Sequence, residues 1–269
     1  DGGRVRTRIH KKKVRKTKKN RHRFKTKWRE PRILVIDILS EDGSCDSLKL
    51  PLYDVMIEDA DTVFYMMIGY MRLLGAKHAE SIEFISDGAE WIWDRVNLLV
   101  TEAEISESKL FLVLDYYHAC EHMNEALDLC ENLSKKERSK KYKELKNKLK
   151  NNLDGIDEVI IDLKEMVTKK RKEEMEKLLE YFEKHKNHMK YALFLEKKIS
   201  IGSGVVESAV RRVINLRFKG NGSLWKDKIV EGLMHLRSFF KAGRWRDLIL
   251  RVITGKFNIP GFGQQGQAT

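Results

Sequence analysis

Two apolar runs in this chain each stop on an acidic residue: Ile82-Glu83-Phe84-Ile85-Ser86-Asp87-Gly88, and Leu110-Phe111-Leu112-Val113-Leu114-Asp115-Tyr116-Tyr117-His118. Runs of this length, rich in Ile, Val, Leu and Phe and closed by Gly or polar residues, read as buried strands. Adjacent strands that end in carboxylates can hold a common hard cation outside the sheet edge. Asp87 with Gly88 after it reads equally well as a strand-to-helix turn. A third acid, Glu207, stands in the first turn of the periodic segment from Val205 to Phe218. There a Glu can complement the helix macrodipole or pair with Arg211 one turn on. Two strand-end aspartates, a basic surface and a late helical carboxylate together match what two-metal phosphoryl transfer needs. Two magnesium ions roughly 3.5–4 Å apart activate the attacking oxygen and stabilise the leaving one.

Charge narrows the class of partner. The 269 residues carry a formal net charge of +13, and residues 4–32 hold sixteen Lys or Arg against one acid, Glu30. That is a polyanion-binding composition, pointing to DNA or RNA. Phe24 and Trp28 interrupt the run and can pack or stack. A solvated basic tail is the alternative. No apolar helix face accompanies these charges, which argues against an interfacial membrane anchor. No apolar stretch is long enough to cross a bilayer and no secretory signal opens the chain, so a cytoplasmic protein is expected. Cys45, Cys120 and Cys130 are odd in number and lack Cys-x-x-Cys spacing, which argues against a disulfide framework and a thiolate zinc site.

The elements that must position the acids follow from periodicity. Arg4 to Ile9 alternates as a strand with one basic face, and Lys11 to Lys27 reads as a basic loop. A strand is expected from Trp28 to Ile38, then a turn at Glu41-Asp42-Gly43-Ser44 and a returning strand from Ser47 to Tyr53. Val63, Met66, Met67, Tyr70, Leu73 and Leu74 mark a core-facing helix over Ala60 to Leu74, capped by Gly75. Further helices are expected from Trp91 to about Val100 and from His118 or Ala119 to about Leu133. Three strands in a meander followed by alternating units predict an α/β fold: a five-stranded mixed sheet flanked by helices, the plan of a ribonuclease-H-like domain. From Ser134 to about Lys198 the composition turns to Lys, Glu, Leu and Met, an all-helical segment broken near Asn151-Asn152 and Asp154-Gly155. The expected division is a first core part over 1–133 with its basic segment at 4–32, a helical insertion over 134–198, C-terminal core helices over 199–255 and a tail over 256–269. Trp225, Phe239 and Trp245 read as core.

Several segments together resemble a known family. Asp1-Gly-Gly-Arg-Val-Arg-Thr-Arg, Trp28-Arg-Glu-Pro, Ser86-Asp-Gly-Ala-Glu-Trp-Ile-Trp, Leu114-Asp-Tyr-Tyr-His-Ala-Cys-Glu-His and Ile201-Gly-Ser-Gly-Val-Val-Glu-Ser-Ala-Val-Arg-Arg-Val are similar to the ISKra family of bacterial insertion-sequence transposases. The family belongs to the DDE group with Mutator-like and hAT-like relatives. The resemblance implies a ribonuclease-H-like core interrupted by a helical insertion before the final Glu. It implies Asp1, Asp87 and Glu207 as the catalytic, metal-binding carboxylates for Mg2+ or Mn2+. Asp115 and His118 then match the family's (Cys or Asp)-x-x-His signature, an accessory pair that handles the strand or orders the site.

The implied activity is magnesium-dependent nicking at transposon ends, followed by attack of the freed 3′-hydroxyl on target DNA. Arg4, Arg6, Arg8, Lys11, Lys12, Lys13, Arg211, Arg212, Arg217 and Lys219 are the candidate phosphate contacts, although an exposed helix face explains the last four as well. The expected partners are the terminal inverted repeats and target DNA, with a homodimer or higher assembly on DNA, no membrane, and a location at the bacterial nucleoid. Two other readings remain. One is an N-terminally truncated, inactive DNA-binding remnant, because the half-strand that should anchor Asp1 is missing. The other is a zinc hydrolase, because His118-Ala-Cys-Glu121-His122 fits a His-x-x-Glu-His pattern.

Overall fold

The structure is a computed structural model that describes residues 3–10, 24–46, 49–57 and 59–255. The chain opens with strands β1 (Val5–His10), β2 (Phe24–Arg29), β3 (Arg32–Ile36) and β4 (Leu52–Met56), then helix α1 (Ala60–Leu73). Strand β5 (Ile82–Ser86), helices α2 (Glu90–Trp93) and α3 (Val96–Glu102), strand β6 (Leu110–Leu114) and helix α4 (Tyr116–Asp128) follow. Helices α5 (Lys135–Asn151), α6 (Gly155–Met166), α7 (Lys172–His185) and α8 (Tyr191–Glu196) come next. The chain then forms α9 (Gly204–Ala209), a π-helical stretch (Val210–Asn215), α10 (Leu216–Phe218), β7 (Trp225–Lys226), α11 (Asp227–Lys241) and α12 (Trp245–Thr254). Two compact units result, residues 1–74 with 204–269 and residues 75–203.

In the first unit β1 pairs antiparallel with β2 and parallel with β7, and β3 pairs antiparallel with β4. Alternation fixes the faces of β1: Val5 and Thr7 are fully buried while Arg4 and Arg6 point out. Val5, Ile33, Val55, Val213 and Val230 share one core with the helices after residue 204. The second unit is built on the parallel pair β5 and β6, with Val113 and Leu114 at the centre of a core that extends into α4 to α8. Ser134 caps α5 in a full capping box with Glu137, and Gly155 opens α6 after the expected break. No helix among the described residues is long and apolar enough to cross a membrane.

Several local expectations change. The strand expected from Trp28 to Ile38 is two strands, because Pro31 lacks a ladder donor and the partners switch there from β1 to β4. Residues 24–27 lie in β2 rather than in a basic loop, since each pairs with a β1 residue. The returning hairpin strand is Leu52–Met56, farther along than expected. The mixed α/β class holds, but among the described residues the strands form three small sheets where one five-stranded sheet was expected. The helix expected over Trp91 to Val100 breaks at Asp94-Arg95. In α1 the buried side is Val63, Phe64 and Ile68, and Leu73 is exposed. The segment from Val205 to Phe218 is helical but widens to π turns over Val210–Asn215. Within that stretch Val213 and Ile214 are both fully buried. Phe239 is buried and Trp225 packs on the core, whereas Trp245 is exposed.

Candidate functional site

The register of β5 and β6 ends at Ser86 beside Leu114, so Asp87 and Asp115 leave the two strands side by side. Their surroundings then separate them. Asp115 is 7% exposed and caps α4, its Oδ1 accepting from the Tyr117 N–H at 2.7 Å. Its Oδ2 accepts from the Ser203 N–H at 3.0 Å and from the Ser203 hydroxyl. The Tyr116 N–H donates to the Ile201 carbonyl at 2.8 Å, and Gly202 lies so close to the Tyr117 ring that a Cβ would meet it at 2.9 Å. Asp115 is thus a clasp that holds the Ile201-Gly202-Ser203 loop on the first turn of α4. An N-cap alone contributes about 1 kcal/mol.

Asp87 is half-buried and only partly engaged. Its Oδ1 accepts from the Ala89 N–H at 3.1 Å, and its backbone carbonyl accepts from the Trp93 indole N–H at 2.7 Å. Among the described residues its Oδ2 has no hydrogen-bond partner. Gly88 is not in the left-handed region, so the turn itself does not demand glycine. A Cβ there would lie 2.3 Å from both Cε2 and the hydroxyl of Tyr181, on α7. Glycine is required by the approach of that ring.

Tyr181 belongs to a chain of aromatic and imidazole rings. His122 lies 4.2 Å and His185 5.0 Å from the Tyr181 ring centroid, and His188 stacks on Trp93 at 4.4 Å with 15° between planes. The Tyr181 hydroxyl, His185 Nδ1 and His188 Nδ1 are buried without a hydrogen-bond partner. Burial, and then the negative charges of Asp87 and Asp115, push the Tyr181 phenol well above its ordinary value. Burial, helped by His188, pushes His185 down to about 4. His185 is therefore neutral near pH 7, and burial pushes His188 down as well. Glu83, upstream on β5, accepts from the Ser200 N–H at 3.1 Å; its carboxyl is raised by burial against that hydrogen bond.

The accessory residue His118 is partly exposed and faces Glu121 at 3.4 Å, while His122 faces Glu125 at 3.0 Å. Each imidazole is paired with its own carboxylate along the helix. Among the described residues no group of three or more His, Cys, Asp or Glu is placed to hold a metal ion, so the His-x-x-Glu-His segment does not assemble a zinc site.

In the first unit Glu207 is exposed and has no ion pair or hydrogen bond among the described residues. The expected pair with Arg211 does not form, because the helix changes to π turns between them. Arg211, Arg217 and Lys219 are exposed. Arg212 is used internally, donating to the Ser208 carbonyl at 3.3 Å and to the Tyr53 hydroxyl at 3.0 Å. Arg4 pairs with Glu30 at 3.0 Å on the surface, and Arg6 is exposed. Asp1, Lys11, Lys12 and Lys13 lie outside the described residues.

Residues 66–200, half of the chain, match the model of the ISL3 family, described as transposase. The chain belongs to this transposase family. In the transposase the matched segment runs from α1 to the loop before Gly202 and includes Asp87, Asp115 and His118; Glu207 and the basic strands lie outside it. No curated protein and no solved structure matches the chain.

Tyr181, His185 and His188 are unmarked in the sequence, while Trp93 and Ser203 fall inside the motifs that carry the resemblance but with no role of their own. The His185-x-x-His188 spacing and the Gly202-Ser203-Gly204 triplet are local signals. Both are too short to indicate which strand end they approach.

Proposed function

We propose that this transposase cleaves DNA strands at insertion-sequence ends and joins the freed 3′-hydroxyl to target DNA in a magnesium-dependent reaction. Asp1, Asp87 and Glu207 would hold Mg2+ or Mn2+, with the strands of the terminal inverted repeats and the target as substrates. The observation that carries the reading is the unequal treatment of the two strand-end acids. Asp115 has both oxygens occupied by protein donors, whereas Asp87 keeps one oxygen free at a rigid strand end. A free, half-buried carboxylate oxygen is the donor a hard cation selects. Glu207, exposed and without a cationic partner, offers the same chemistry.

When bound, the cations would supply Lewis acidity for the attacking and leaving oxygens. The residues of the chain do the positioning. Trp93 fixes the Asp87 carbonyl and Ala89 fixes one carboxylate oxygen, so the side chain is oriented before any ligand arrives. Asp115 orders the loop that leads into the Glu207 helix, which is an accessory role by connection rather than by contact with substrate. His118, partly exposed, remains a candidate for DNA contact beside it. Arg4, Arg6, Arg8, Arg211, Arg217 and Lys219, with Lys11 to Lys13, would neutralise phosphates. The transposase would act as a homodimer or larger assembly on DNA, in the cytoplasm at the nucleoid.

The test is strand cleavage and strand transfer on a DNA substrate carrying the element's ends, with Mg2+, with Mn2+ and after chelation. Asp87→Ala and Glu207→Ala should each retain DNA binding and lose both reactions. Retained magnesium-dependent strand transfer in either variant would refute the assignment.

A further inference from the structure

The outer face of the β1–β2 ladder carries a feature that phosphate binding does not use. Antiparallel pairing sets Arg6 opposite Trp28 and Arg8 opposite Thr26. Partners across a ladder share a face. Because Val5 and Thr7 are fully buried, the Arg6 and Trp28 face is the outward one. Trp28 is 59% exposed there, and Phe24, four residues along β2 on the same side, is 41% exposed. At the rise of a strand their Cα atoms lie about 13–14 Å apart. Arg8 is half-buried on the same face.

We propose that this face is a stacking platform for unpaired DNA bases, with Trp28 as the principal ring and Arg6 and Arg8 as its phosphate contacts. The proposal rests on the reading of the basic strands as a DNA-binding surface and names what they bind. A duplex conceals its base faces within the stack, so a protein that reads only duplex backbone needs cations and no exposed indole. An unpaired strand offers both a π-face and a phosphate, which is what an exposed indole beside an Arg on the neighbouring strand accepts. Strand edge pairing with another protein is disfavoured. β2 is the edge of its sheet, and its Lys25 and Lys27 are the kind of charges that block such pairing.

The experiment measures equilibrium binding of the full chain to a fluorescein-labelled single-stranded oligodeoxynucleotide and to its duplex, in EDTA, by anisotropy. Without metal no cleavage contributes, so the result is independent of whether Asp87 and Glu207 act as proposed. Trp28→Ala should weaken single-strand binding about ten-fold or more and duplex binding less than about two-fold, while Trp28→Phe retains most of the affinity. Arg6→Ala should weaken both probes and lower the salt dependence of binding. Unchanged single-strand affinity in Trp28→Ala, or equal loss on both probes with a native circular dichroism spectrum, would overturn the proposal. So would tighter binding of the equivalent RNA strand that depends on Trp28, or a change of oligomeric state in Trp28→Ala by light scattering, which would assign the face to RNA or to a second copy of the chain.

Discussion

Replacing Gly88 by Ala distinguishes two accounts of the Asp87-Gly88 pair by the sign of its effect. Were Gly88 only a turn residue, Ala would be accepted, because the backbone there avoids the left-handed region. It would then stabilise the protein by about 0.4–1 kcal/mol through the unfolded chain. The structure gives a different expectation, because the new Cβ would sit 2.3 Å from two atoms of Tyr181 and 2.7 Å from a third. Overpacking of that kind costs about 1–3 kcal/mol, and the contacts fall far inside ordinary separations, so the upper part of the range applies. After the unfolded-state gain is subtracted, Gly88→Ala should be destabilised by about 1–2 kcal/mol. With a urea slope of about 1–3 kcal/mol/M, the midpoint should fall by roughly 0.5–1 M. Trp91 and Trp93, close by in sequence, provide the fluorescence signal for the unfolding curve. In a Tyr181→Ala background the obstacle is gone, and Gly88→Ala should become neutral or stabilising. A neutral or stabilised single variant, or the same penalty in both backgrounds, would refute the packing argument.

Ser203→Ala removes one of the donors to a buried carboxylate, and should cost about 1–3 kcal/mol in urea unfolding and speed hydrogen exchange at the Ser203 amide. His185 has its folded value depressed to about 4 from an ordinary value near 6.5, so the unfolded state binds the additional proton and stability is lost as pH falls through that window. The loss should reach about 3 kcal/mol by pH 4, and His185→Leu should flatten the dependence of urea midpoint on pH. His235 behaves oppositely: its hydrogen bond to Asp54 raises its folded value, so its contribution is complete below about 6.5 and disappears as pH rises through the shifted value. Histidine ring resonances followed by NMR should show His235 titrating above, and His185 well below, the unfolded position. Tyr181→Phe removes the unpartnered hydroxyl and keeps the ring, and should leave the urea midpoint unchanged or slightly higher.

The parts of the fold that depend on near neighbours were legible in the sequence. The two strand-end acids, the alternation of β1, the break at Asn152 to Gly155 and the cap at Gly75 all follow from spacing over a few residues. The split at Pro31 was not read, because local β pattern is the same whichever strand becomes the partner. Asp54 shows the same limit. It is an acid inside a buried strand, answered by the Tyr70 hydroxyl at 2.6 Å and by His235, which stands 181 residues away. No local pattern marks such a position as polar and buried.

By itself the sequence determined the mixed α/β class, the concentration of positive charge at one end of the chain and the presence of carboxylates at two strand ends. Composition and short-range periodicity are sufficient for these. Only the tertiary structure decided that Asp115 is occupied by Ser203, 88 residues later, while Asp87 keeps a free oxygen, and that Gly88 exists for the ring of Tyr181. It also decided that Glu207 stands clear of Arg211 where the helix widens. The physical reason is that a carboxylate's chemistry is set by which donors reach it. That is decided by packing between segments distant in the chain, and two aspartates in equivalent local settings acquire different neighbours only when those segments meet.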